Sequence, residues 1–169
     1  MNKKAISGVV AAVIMIALVI AIGGVVWVVV SNLVSEQLEE AGTCLDVLGE
    51  VTINPKYTCY NSSEKHLQVS VGVGDIVIDK VILAVSGKGT TKSYEISKIH
   101  QEITDLTFYN GSLITWLPEQ NEGFTYILDT ESQNLGRPDS VIIYPIIKGR
   151  QCDASDTLSE ISDCLLLEA

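Results

Sequence analysis

At 169 residues the chain has room for one ordinary domain and an appendage, and 47% of its residues are apolar. Its net charge is −10, from 21 Asp and Glu against 11 Lys and Arg, and −9 of that belongs to residues 41–169. So acidic a surface is a poor match for a nucleic-acid backbone, whose binding depends on Lys and Arg displacing counterions, and nucleic acid is set aside as a partner.

The first predicted element is an α-helix. Between Lys4 and Glu36 there are 31 consecutive uncharged residues, mostly Val, Ile, Ala and Leu, with no Pro and no polar face. A helix that is apolar all round must be buried in protein or lipid. Glu36, Gln37, Leu38, Glu39 and Glu40 continue in helix-favouring residues, and Gly42 stands where a glycine C-cap would end the helix. Residues 6–41 are thus expected to form one helix about 54 Å long at 1.5 Å per residue. A hydrocarbon core is only ~30 Å thick and is spanned by ~20 residues. Gly23-Gly24 is the weakest point of the run, costing about 1 kcal/mol per glycine relative to Ala and offering a place to bend or to pack closely. Trp27 fits either an outer-leaflet anchor or a packed contact between helices. Asn2, Lys3 and Lys4 before the run and Glu36, Glu39 and Glu40 after it place the N-terminus in the cytoplasm and the rest outside.

Three fates fit such a segment. A secretory signal peptide has a small-residue cleavage site after its apolar region, as at Ala21-Ile22-Gly23. Cleavage there would leave the apolar stretch from Val25 to Val30 on the mature chain. A permanent single-span anchor explains orientation and apolarity, with tilt absorbing part of the excess length. The third fate follows from the junction Lys3-Lys4-Ala5 and Ile6-Ser7-Gly8-Val9-Val10: cleavage between Ala5 and Ile6 would remove the basic leader, residues 1–5, and keep the whole helix.

That junction resembles the class III signal of type IV pilins, in particular the archaeal type IV pilin-like family, over residues 3 to about 41. Gly8 stands where the archaeal pattern often has Pro, and Val10 where bacterial type IV pilins carry Glu, which favours the archaeal branch. Archaellins, the subunits of archaeal motility filaments, share this leader chemistry. The resemblance implies a structural subunit of an extracellular filament, a helical homopolymer serving surface adhesion. It also implies a signal peptidase, an assembly ATPase and a membrane platform protein as partners, with the helix resident in the membrane before assembly. The alternatives are a single-span membrane-anchored extracellular binding domain and an archaellin-type subunit. The helix itself is suited to assembly: Gly8, Ala11, Ala12, Ala17, Ala21, Gly23 and Gly24 allow close backbone approach between copies, and a head-to-tail contact that does not close generates an open filament.

Beyond Gly42 the apolar pattern changes to period two. Leu67, Val69, Val71 and Val73 alternate with polar or small residues, as do Val81, Leu83 and Val85, so both segments read as half-buried strands. Gly87-Lys88-Gly89 forms a turn before Tyr94 and Ile96. Leu113 to Leu117, Phe124 to Leu128 and Val141 to Ile147 are further strands, with Asn110-Gly111 and Asn121-Glu122-Gly123 as turns. Val141-Ile142-Ile143-Tyr144 is apolar on both faces, as in a central strand or one packed against the helix. The fold class expected is α+β: a long hydrophobic helix, then an antiparallel β-sandwich-like domain over residues 42–169.

Cys44, Cys59, Cys152 and Cys164 contain no Cys-x-x-Cys pair, so disulfides are expected rather than zinc. Of the three pairings, the two local ones, Cys44 with Cys59 and Cys152 with Cys164, are expected, each worth about 3 kcal/mol in the chain-entropy model. Disulfides imply an oxidising exterior. Asn61-Ser62-Ser63 and Asn110-Gly111-Ser112 fit the N-glycosylation pattern. Catalytic signals are missing from the sequence: His66 and His100 are isolated, Ser86 to Thr91 lacks the P-loop spacing, and Gly72 and Gly74 lack the third glycine of a dinucleotide site. No enzyme activity, cofactor or metal is expected.

Overall fold

In the computed structural model the structure is described for residues 3–164, with side chains described from Gly8 to Ser35 and from Cys44 to Cys164. The chain divides into two units, residues 1–42 and 43–169.

The first unit holds all but the last turn of α1 (Lys3–Leu45), an uninterrupted helix of 43 residues, about 65 Å at 1.5 Å per residue. It passes through Gly23-Gly24 as helix, and it also continues past Gly42, contrary to the expected stop. The chain turns instead at residues 46–50, where Val47 N–H donates to Cys44 O and Glu50 N–H to Val47 O, with Gly49 at φ +82°. A single glycine signals where a helix is able to end; local bonding decides where it does.

The second unit is built of β1 (Val51–Ile53), β2 (Cys59–Asn61), β3 (His66–Val73), β4 (Lys80–Gly87), β5 (Thr90–Ser97), β6 (Gln101–Glu102), β7 (Leu106–Phe108), β8 (Ile114–Thr115), β9 (Gly123–Asp129), β10 (Pro138–Ile147), β11 (Arg150–Gln151), β12 (Asp156–Leu158) and β13 (Ser162–Asp163). One sheet runs β13-β2-β3-β9-β7, with β1 also on β3; a second runs β11-β10-β4-β5, with β12 also on β10; β6 and β8 form a small ribbon. Among the described residues all strand pairs are antiparallel except β13 with β2. The chain is therefore α+β, an apolar N-terminal helix followed by a mostly antiparallel β domain.

Period two is what builds the core. Leu67, Val69, Val71 and Val73 on β3, Val81, Leu83 and Val85 on β4 and Val141 and Ile143 on β10 are buried in one apolar cluster with Tyr126 and Leu128 of β9. Both sheets thus turn an inner face to the same core. Asp156 reinforces this: Ile53 N–H of β1 in the first sheet donates to its Oδ2 at 2.8 Å from β12 in the second. β10 is central, between β4 on one side and β11 and β12 on the other. The stretch expected as a strand from Leu113 to Leu117 contributes only the two-residue β8, paired to β6.

The expected Lys88 turn is a two-residue hairpin: Gly87 pairs with Thr90, and Lys88 and Gly89 both have positive φ, 47° and 74°. These are the conformations that match the twist of the flanking strands. Lys148-Gly149 repeats the device between β10 and β11, at φ 50° and 77°.

Candidate functional site

Four features carry functional weight: the surface of α1, the cysteines, the two sequons, and a groove that sequence patterns did not reveal. The expected cleavage pair, Ala5 and Ile6, lies in the first turns of α1, with its side chains outside the described ones. Within the 28 residues from Gly8 to Ser35 an 18-residue stretch reaches a mean hydropathy of 3.1, and none of the 28 is buried. This helix is long and apolar enough to cross a membrane. Trp27 is 74% exposed, and its carbonyl accepts a hydrogen bond from Ser31 Oγ at 2.8 Å, which keeps that hydroxyl satisfied within the helix.

All four expected cysteines are bridged, but not in the expected pairs. Cys44 bonds Cys152 and Cys59 bonds Cys164, closing sequence separations of 108 and 105. Topology overrides local spacing here. Parallel pairing of β13 with β2 sets Ser162 opposite Cys59, and Cys164 N–H donates to Tyr60 O, which brings the distant Cys164 to β2. Near Cys152, Ser155 Oγ donates to Val47 O at 3.2 Å, just beyond Cys44. Two disulfides belong to an oxidising, extracytoplasmic environment.

The sequons differ. Asn61 ends β2 half-buried; its Oδ1 accepts from Ser63 and Glu64 N–H, and its Nδ2 donates to Glu64 Oε2 at 3.1 Å. Asn110 is exposed just after the edge strand β7, in a loop closed by Gly111 N–H to Phe108 O and Phe108 N–H to Ser112 O, both 2.9 Å. Gly111 takes φ +84° there. Asn110 Oδ1 accepts from Ser112 N–H at 3.0 Å, and its Nδ2 makes no hydrogen bond among the described residues.

Asn110 also lines an open groove of about 600 Å³. Tyr57, Phe108, Tyr109, Trp116 and Phe124 supply aromatic surface, and Gln68 and Thr125 the remaining polar groups. No side chain lining it is charged, although the chain is strongly acidic. The aromatic rings brace one another: Phe108 meets Trp116 edge-on at 4.5 Å and stacks on Tyr126 at 5.3 Å, and Tyr126 O–H donates to Trp116 O. Burial pushes the Tyr126 phenol well above its usual value. The lining residues come from five separate segments, so no single motif announces them. The one sequence signal is crowding: both Phe residues, with Tyr109, Trp116 and Tyr126, fall between positions 108 and 126.

Each histidine has a structural neighbour. His66 Nδ1 lies 3.6 Å from Glu64 Oε2, and the His100 ring meets Trp116 edge-on at 4.3 Å. Comparison with protein-family profiles, characterised proteins and solved structures finds no match.

Proposed function

We propose that the chain is a structural subunit of an extracellular, archaeal type IV pilus-like filament that assembles through α1 and serves surface adhesion. The observation that supports this reading is the unburied apolar surface from Gly8 to Ser35. Those 28 residues span about 42 Å, against ~30 Å of hydrocarbon. Packing against copies of itself would bury that surface at about 25 cal/mol per Å². Lipid holds the helix until assembly, and the leader before Ile6 is removed by a class III signal peptidase on the cytoplasmic side. An assembly ATPase and platform protein then draw the subunit into the polymer. In this setting Asn61 and Asn110 meet glycosylation machinery on the outer face.

N-terminal sequencing of protein sheared from cell surfaces, with electron microscopy of the same fraction, tests this. Filaments whose subunits begin at Ile6 are expected, and Ala5→Arg is expected to trap full-length chain in the membrane. Full-length protein confined to the membrane, without filaments, would establish the single-span anchored binding domain instead. A filament whose loss stops swimming would establish an archaellin-type role.

A further inference from the structure

On the reading that the β domain is exported, we infer that the aromatic groove is the seat of a saccharide carried by the chain itself, attached at Asn110. Three observations converge. Asn110 is at once a sequon residue and part of the groove lining, so a sugar on its Nδ2 starts at the groove. That nitrogen makes no hydrogen bond among the described residues, whereas Asn61 Nδ2 is held by Glu64. And the lining is uncharged within an acidic domain, a combination that suits a neutral polyol.

The geometry matches the chemistry of a pyranose. Such a ring has apolar C–H faces and a rim of hydroxyls, so it requires flat aromatic surface flanked by a few polar groups. Tyr109, directly before Asn110, and Tyr57 are 69% and 52% exposed and present the aromatic surface; Trp116 and Phe124 are partly buried at its base. Thr125 and Gln68, whose Nε2 donates to Tyr57 O at 3.1 Å and whose Oε1 is left to accept, supply polar groups for hydroxyls. A volume of about 600 Å³ lies within the usual range for small-molecule sites. The modification is a transfer from a lipid-phosphate-linked oligosaccharide. The anomeric C–O bond to the phosphate breaks, a C–N bond to Asn110 Nδ2 forms, the phosphate keeps the electron pair, and the amide proton leaves with it.

Site-resolved mass spectrometry of glycopeptides from the native chain, with melting of the native chain and of the Asn110→Gln, Tyr109→Ala and Tyr57→Ala variants, tests the inference. Asn110 is expected to be occupied to a greater extent than Asn61. The glycosylated chain is expected to melt about 3 °C above Asn110→Gln, and that gain is expected to vanish in the Tyr109→Ala and Tyr57→Ala backgrounds. Both tyrosines are exposed, so these replacements leave the core intact. Bare Asn110, with or without sugar on Asn61, would overturn the inference. Occupied Asn110 with no melting difference would overturn the seat while leaving the modification, and neither result touches the filament reading, which the N-terminus decides. Binding of free oligosaccharide by Asn110→Gln, with native Asn110 bare, would assign the groove to an outside saccharide.

Discussion

Tyr94 is the buried polar group most open to test. It is 7% exposed, and its hydroxyl is the one buried side-chain polar atom without a hydrogen bond among the described residues. Burial first, and then the carboxylates of Asp105 and Asp129, push its phenol up to about 12. The folded state therefore holds that proton more tightly than the unfolded chain, which releases it near 10. This contribution to stability is complete below about pH 10 and is lost as pH rises to about 12. Tyr94→Phe removes both the unpartnered hydroxyl and its titration. The variant is expected to gain up to about 1 kcal/mol at pH 8 and to lose less between pH 9 and 11, in urea unfolding followed at each pH. Parallel losses in the two proteins would assign the alkaline sensitivity to other groups.

Between elements, the disulfides do what neither sheet can do alone. β13 is two residues long and joins its sheet by a single parallel pairing, so backbone bonding holds it weakly. Cys59–Cys164 fixes it covalently, and Arg137 adds a 2.6 Å ion pair to Asp163, a bond to Ile161 O and contact with the Tyr60 ring. Each bridge closes more than a hundred residues, a span worth about 4.7 kcal/mol alone in the chain-entropy model. The two loops overlap, so their effects are expected to be less than additive. Cys59→Ser/Cys164→Ser is expected to cost about 2–5 kcal/mol and to speed hydrogen exchange at the backbone N–H of position 164, which donates to Tyr60 O in the native chain, before the β3–β4–β10 core, measured residue by residue. Uniform exchange across the domain would mean that β13 is held by something other than its bridge. How much of this was legible in the sequence follows from the range of each interaction. Alternation in β3 and β4 is set by burial of every second residue, and the Lys88-Gly89 turn by local φ, so both were readable. The cysteine pairing and the groove depend on which distant segments the sheets bring together, and spacing along the chain does not record that. β6 and β11 went unrecognised because two residues are too few to show a period.

For the whole molecule, the decisive question is whether α1 meets lipid alone or copies of itself, and its glycines separate the two. In the single chain a Cβ at Gly24 would meet nothing within 4 Å, and the residue is helical. Gly24→Leu therefore creates no clash within the subunit. It also raises helix propensity by nearly 1 kcal/mol and favours insertion into a bilayer. An anchored monomer is thus expected to reach the membrane at least as well as the parent chain. In a filament, where small residues let helices approach closely, the added side chain has to enter an already packed contact. Such overpacking typically costs about 1–3 kcal/mol, and it recurs at every subunit. On the filament reading the expected outcome is normal membrane levels with few or no filaments in sheared fractions, while Leu18→Ile, which keeps the volume, assembles normally. Abundant filaments from Gly24→Leu would show that α1 packs elsewhere along its surface, at the Ala11-Ala12 end, where the same substitution is then the test.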